Sequence, residues 1–363
     1  TGGGAGVLNL GQGTANFAGG GSFIINENGT LNIGNGTGGA TVGGTIENLP
    51  SLINNGTINF NQSAGSIYTL ASSISGSGSV AINSGATTVL LGNNAYTGGT
   101  KVSAGTLQIG DGGLTGSVSG NIANNAVVVF NRSDTVDYSG ILSGAGYLVK
   151  NGAGTLRLRG ANTATGNFDV WAGGLELTGA AARLGGTTSQ MWVGTNATAS
   201  LTVSSAAQLT THDAFIGSMR GATATVTGAD SAWTANYLYV GRHAASDLRV
   251  LDGGQMTAVR SVVGNGADGS VLVSGANSLW TSTSAILMGT QLSSTGSVVV
   301  QSAGTARTPR VEFGSGGGVL RVGGSDFGGR GVLWTQEVVR QASTQQAAVN
   351  FNGGVLRAAA AAP

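Results

Sequence analysis

The chain has 363 residues, of which 67 are glycine, 3 are proline and none is cysteine; 16 basic and 15 acidic residues leave a net charge of +1. With 9% charged and 40% hydrophobic residues, it is neither a disordered polyelectrolyte nor a basic binder of nucleic acid or anionic membrane. The lack of cysteine excludes disulfides and thiolate metal sites, and no apolar run approaches the ~18–20 residues of a membrane helix.

In chain order, residues 1–100 contain only two charged side chains, Glu27 and Glu47. The start, Thr1-Gly2-Gly3, and the end, from Ala358 to Pro363, read as cut points in a longer protein, with neither a signal peptide nor a C-terminal β-barrel within the chain. Apolar and polar residues alternate in short runs such as Thr106-Leu107-Gln108-Ile109 and Thr155-Leu156-Arg157-Leu158-Arg159. Such runs predict strands with one buried face. Asn-Gly, Gly-Gly and Ser-Gly pairs separate them, and helix signals are absent. Abundant glycine with little proline fits tight turns between strands that keep their N–H donors.

Residues 57–110 and 127–179 are two copies of one unit. Gly76, Thr87, Leu90, Gly92, Asn94 and Leu107 meet Gly144, Thr155, Leu158, Gly160, Asn162 and Leu175 at an offset of 68. Phe60-Asn61-Gln62-Ser63 is echoed by Phe130-Asn131-Arg132-Ser133.

A shorter beat runs over residues 192–314. A pair of residues precedes glycine at Trp192-Val193-Gly194, Phe215-Ile216-Gly217, Tyr239-Val240-Gly241, Val262-Val263-Gly264, Leu287-Met288-Gly289 and Glu312-Phe313-Gly314. The gaps between these glycines are 23–25 residues, and Val203, Val226, Val250, Val273 and Val300 keep step with them. A fixed period of this size marks a solenoid whose coils stack like on like. Coils of ~20–25 residues with three short strands predict an all-β, right-handed, three-faced parallel β-helix (β-solenoid) over the whole of 1–363. Leucine-rich repeats share the period but not the signature; a β-propeller is kept as an alternative by the 47-residue spacing of Trp233 and Trp280. Near the end, Val311-Glu-Phe313 and Gly317-Gly318-Val319-Leu320-Arg321 are echoed by Val349-Asn-Phe351 and Gly353-Gly354-Val355-Leu356-Arg357.

The segment from Gly76 through Gly92-Asn-Asn-Ala-Tyr96-Thr-Gly-Gly-Thr100 to Leu107, and its copy Gly152-Ala-Gly-Thr-Leu156…Gly160-Ala-Asn162-Thr163, resemble the autotransporter-associated β-strand repeat. Phe351-Asn-Gly-Gly-Val-Leu-Arg357 also resembles wording found in such passenger domains. The resemblance implies a passenger segment of a Gram-negative type V secretion protein, exposed on the cell surface or secreted through its own C-terminal β-barrel. It implies adhesion, self-association or biofilm formation through host or bacterial surface molecules. Two alternatives stand beside it: a β-helical polysaccharide-degrading enzyme, and a passive stalk for a missing N-terminal effector.

For catalysis the residues offer little. His212, beside Asp213, has the makings of a Ser-His-Asp set, but no Gly-x-Ser-x-Gly elbow accompanies it; both it and His243 read as surface-turn residues. Asp213, Asp230, Asp247, Asp252 and Asp268 are dispersed over successive coils, where a lyase needs clustered carboxylates. No catalytic, cofactor or metal site is predicted, and no enzyme. Trp171, Trp192, Trp233, Trp280 and Trp334 are read as core or corner packing, with sugar stacking as the alternative. Sequons such as Asn28-Gly-Thr30 arise easily in this composition. The candidate binding surface is the row of polar loops after each landmark glycine, carrying Arg220, Arg242, His243, Asp268 and Gln291. Plain solvated turns are the alternative.

Overall fold

A computed structural model describes residues 6–11, 13–17, 21–35, 43–323 and 329–358. The two ends read as cut points, Thr1-Gly2-Gly3 and the run up to Pro363 beyond Ala358, lie outside them. The described residues form short strands and turns with no helix, and the chain divides into two compact units, Thr1–Asn167 and Phe168–Pro363. Both are parallel β-solenoids.

In the first unit each strand pairs in parallel with the third strand along, which makes three strands per coil. Thr57–Phe60 pairs with Ser79–Ile82, then Thr100–Val102, Ile122–Asn124 and Leu142–Ser143. A second stack runs Ile67–Leu70, Thr87–Leu90, Thr106–Ile109, Val127–Asn131 and Tyr147–Asn151. The third includes Ser51–Asn54 with Ser73–Ser75, Asn93–Asn94 with Ser117–Val118, and Val136–Tyr138 with Thr155–Leu158. Inward positions repeat along each stack, so Ile33, Phe60, Ile82 and Val102 lie one above another, all buried. Each such side chain contributes about 1.5–3 kcal/mol on leaving water. On the outer side Asn9, Asn32, Asn59 and Asn83 form an amide ladder in which each NH₂ donates to the carbonyl one coil back, at 2.6, 2.8 and 3.3 Å.

The 68-residue copies do not stack on the same face. Thr57–Phe60 lies in the first stack, but its sequence equivalent Val127–Asn131 lies in the second. Ser79–Ile82 and Tyr147–Asn151 are divided in the same way. The unit is ten strands long, which is three coils plus one strand. The late echo behaves alike: Arg310–Phe313 stacks on Glu337–Arg340, whereas Ala347–Asn352 stacks on Gly318–Gly323. Faces with equivalent inward patterns accept a unit at any corner.

In the second unit the strands at one corner merge. Ala232–Val240 pairs through its first half with Gln208–Thr210 and through its second half with Asp213–Ile216. It then runs along the whole of Gln255–Val263, which runs along Leu279–Met288. The opposite wall stacks Gly173–Thr178, Ala199–Ser204, Ala222–Thr227, Ser246–Leu251, Gly269–Ser274 and Gly296–Gln301. Both landmarks fall in register. Val203, Val226, Val250, Val273 and Val300 are partners in sequence along one wall. Val193, Ile216, Val240, Val263, Met288 and Phe313 are partners along the other. All are buried. Trp233 and Trp280 occupy one inward column on either side of Met256.

Candidate functional site

The landmark glycines set the loop edge. Gly217 and Gly241 have φ of 76° and 75°, a left-handed conformation that L side chains resist. A Cβ at either would strike the carbonyl oxygen of Ala244 or Asp268, one coil on. Each loop that follows is tied to the landmark one coil back: Met219 N donates to Gly194 O at 2.9 Å, His243 N to Gly217 O at 3.0 Å, Ala267 N to Gly241 O at 3.1 Å and Thr290 N to Gly264 O at 2.9 Å. Stacking thus satisfies the loop backbone, and Arg220, Arg242, His243, Asp268 and Gln291 lie in successive loops of one edge.

Their side chains differ in setting. Arg220, His243 and Gln291 are exposed. Asp268 is engaged: its Oδ1 accepts from the N–H and hydroxyl of Thr295, both at 2.8 Å. Arg242 turns back over the sheet, its guanidinium 4.0 Å from the centre of the Phe215 ring and 5.7 Å from that of Tyr239. That stack is worth about 0.5–2 kcal/mol.

Beside the loop edge lie two outward columns, the first of them beneath Arg242. The residues two before each glycine form one: Trp192 and Phe215 stack with centroids 5.9 Å apart and planes at 26°, and Phe215 and Tyr239 at 5.3 Å and 25°. The residues four before each glycine form the other, Gln190, Asp213, Tyr237 and Arg260. Gln190 donates to Asp213 Oδ2 at 2.9 Å, and His212 Nδ1 meets Asp213 Oδ1 at 2.8 Å. His212, Asp213, Phe215, Tyr237, Tyr239, Arg242 and Asn265 line an open groove of about 450 Å³.

The His212 ring lies 3.2 Å through Nε2 from the Asn236 amide nitrogen, which only donates. Its assignment is therefore Nδ1–H toward Asp213 with the Nε2 lone pair toward Asn236. In a serine triad that nitrogen faces the nucleophile hydroxyl; here it faces an amide. The other aspartates have separate posts. Asp230 and Asp252 sit at coil corners with φ of 61° and 51°, and Asp247 accepts a hydrogen bond from Ser270. The tryptophans divide as well. Trp233 and Trp280 are core, and Trp171 Nε1 donates to Asp169 at 2.8 Å. Trp334 lies between Arg307 and Arg357, at 5.6 and 5.0 Å, while Trp192 begins the outward ladder.

The 68-residue motif also has a defined geometry. Asn94 Oδ1 accepts from Ile74 N at 2.9 Å, and its Nδ2 donates to Gly92 O at 2.8 Å. Asn162, its equivalent, accepts from Leu142 N at 2.8 Å and donates to Gly160 O at 3.0 Å. Both are buried, so the Gly-x-Asn of each copy is a corner clamp between coils.

The passenger-associated-transport-repeat family matches residues 83–109 and 148–177, stretches that contain these two clamps. A stretch of 56 residues is 57% identical to the adhesin BmaC autotransporter of Brucella suis biovar 1 (strain 1330). Together these matches indicate an autotransporter passenger domain. The adhesin match covers 15% of this passenger segment and 2% of the relative, so the segment spans only a small part of the relative's length. No solved structure matches it.

The sequence places the loop row, and the structure adds the aromatic groove beside it. The signal was present. Trp192, Phe215 and Tyr239 stand two before a landmark glycine, Asp213, Tyr237 and Arg260 four before, and Arg242 and Asn265 one after. Period and pleat together put these positions on one outer face.

Proposed function

We propose that this segment is an adhesive surface of an autotransporter, delivered to the outside of a Gram-negative cell through its own C-terminal β-barrel and acting in attachment, self-association or biofilm formation. One observation carries the reading: stacked aromatic rings, a guanidinium and polar loops share one outer face of the second unit, where a passive stalk needs only solvated side chains. Such anchors on a rigid scaffold are what binding surfaces use. The adhesin name of the matched relative supports it for a short stretch only. The test is surface display of the passenger in its native flanks, with Arg220, Arg242 and His243 changed together to alanine. Cell clumping and surface attachment are expected to fall several-fold while display and circular dichroism stay the same. Unchanged clumping and attachment would overturn the adhesive reading in favour of the stalk.

A further inference from the structure

The groove beside the loop edge has a chemistry more specific than adhesion. Its floor is the ladder of Phe215 and Tyr239, with Tyr237 alongside, 6.2 Å from the His212 ring. Tyr237 is 37% exposed, while Phe215 is only 7% exposed beneath Arg242. Open aromatic faces rimmed by hydrogen-bonding groups suit the apolar face of a sugar ring.

The charges point to the kind of sugar. The Arg242 guanidinium carbon lies 4.0 Å from the centre of the Phe215 ring, and among the described residues the group has no hydrogen-bond or ion-pair partner. A guanidinium packed over a ring without hydrogen-bond partners keeps its N–H donors for bidentate capture of a carboxylate. Arg260 stands next to Tyr237 in the same column, exposed and likewise without a partner among the described residues. The one carboxylate of the groove, Asp213, is already engaged by Gln190 and His212. The groove thus holds one free guanidinium, Arg242, against one occupied carboxylate, with the charge of Arg260 next to Tyr237 in the register, and it favours an anion. Asp213 keeps lone pairs that accept from sugar hydroxyls, and Asn265 adds an amide to the lining.

We propose that this groove binds a carboxylated saccharide, with the ring against Tyr237 and Tyr239, the carboxylate on Arg242, the charge of Arg260 adding to the preference for acid, and hydroxyls donating to Asp213. This deepens the adhesive reading and rests on it for its biological setting. The test titrates the purified full chain with 3′-sialyllactose and a hyaluronan hexasaccharide as acidic probes. Lactose is the neutral counterpart, and hexaglutamate offers carboxylates without a ring. Calorimetry and saturation-transfer NMR read the binding.

At least one acidic sugar is expected to bind, with lactose and hexaglutamate weaker by about tenfold or more. Arg242→Gln should remove the preference for acid, and Tyr237→Ser should weaken binding about tenfold. If Arg242→Gln fails to fold, Arg260→Gln and Tyr237→Ser, both at exposed positions, carry the test. Failure of both acidic sugars to bind, lactose or hexaglutamate binding equally well, or unaltered binding in the folded variants would overturn the proposal. Cells that clump while the purified chain ignores these sugars would sink this inference alone. A chain that binds the sugars but neither clumps cells nor attaches them would sink the adhesive reading alone.

Discussion

Single residues in this molecule are held to account by the coil above and the coil below. Asn162 satisfies Leu142 N–H and Gly160 C=O from a buried corner. In Asn162→Leu the Leu142 N–H loses its acceptor, at about 1–3 kcal/mol, while Gly160 C=O still accepts from the Asn162 N–H at 2.9 Å. The variant should lose on the order of 1–3 kcal/mol in denaturant melts, whereas Asn83→Leu, at the exposed end of the amide ladder, should change little. Lys150 is held differently. It continues the inward stack of Leu90, Ile109 and Phe130, with Nζ donating to Asn151 O at 2.7 Å and Gly152 O at 2.9 Å. Burial lowers its pKa from 10.5 to about 8. Between those values the unfolded chain keeps a proton that the folded chain has released, so stability rises with pH through that window; below pH 8 the full cost of the buried charge remains. Tyr68, pushed up to about 12 chiefly by burial, acts oppositely above its ordinary 10.0: the folded form keeps a proton that the unfolded chain has lost. The melting temperature should therefore climb from pH 8 to about 10 and then decline. Lys150→Met should abolish the climb and keep the decline, as read by thermal melts across pH.

At the scale of elements, the coil is the unit that is added or removed. Ile216 and Val240 are register partners, so excision of Gly217 to Val240 brings Gly241 to the place of Gly217. That deletion preserves every inward column and should fold, with a parallel-β circular dichroism spectrum. Deletion of half the coil shifts the columns of Val203, Val226 and Val250 against each other and should not fold. Equal folding of the two would contradict the solenoid energetics. The fold was legible here because inward columns must repeat: like stacks on like at strand spacing, and the repeat leaves a period in the sequence. The one-strand rotation of the 68-residue copies was not legible. Two copies of a unit look the same whichever face each begins on, and only strand pairing assigns Val127–Asn131 to the second stack.

For the whole molecule, sparse charge and stacked small residues suit a chain that emerges unfolded and builds coil upon coil, since nearest-neighbour contacts let folding propagate from one end. Function then rests on outer faces that stacking leaves free to vary. The stalk and the adhesin share the same interior and differ only there, which is why the clumping assay on Arg220, Arg242 and His243 separates them.

By itself the sequence determined the all-β solenoid, the inward columns and the place of the loop row, because burial of an apolar wall in every coil is a local and repeated demand. The tertiary structure alone decided which outward side chains meet. Gln190, Asp213, Tyr237 and Arg260 are separated by a coil each in sequence and adjoin in space. Arg242 lies over Phe215 rather than in solvent. Outward positions carry no packing demand that every coil must meet, so their period gives the face they share but not the contacts they make; only the folded chain brings the rings, the Arg242 guanidinium and the carboxylate into one groove.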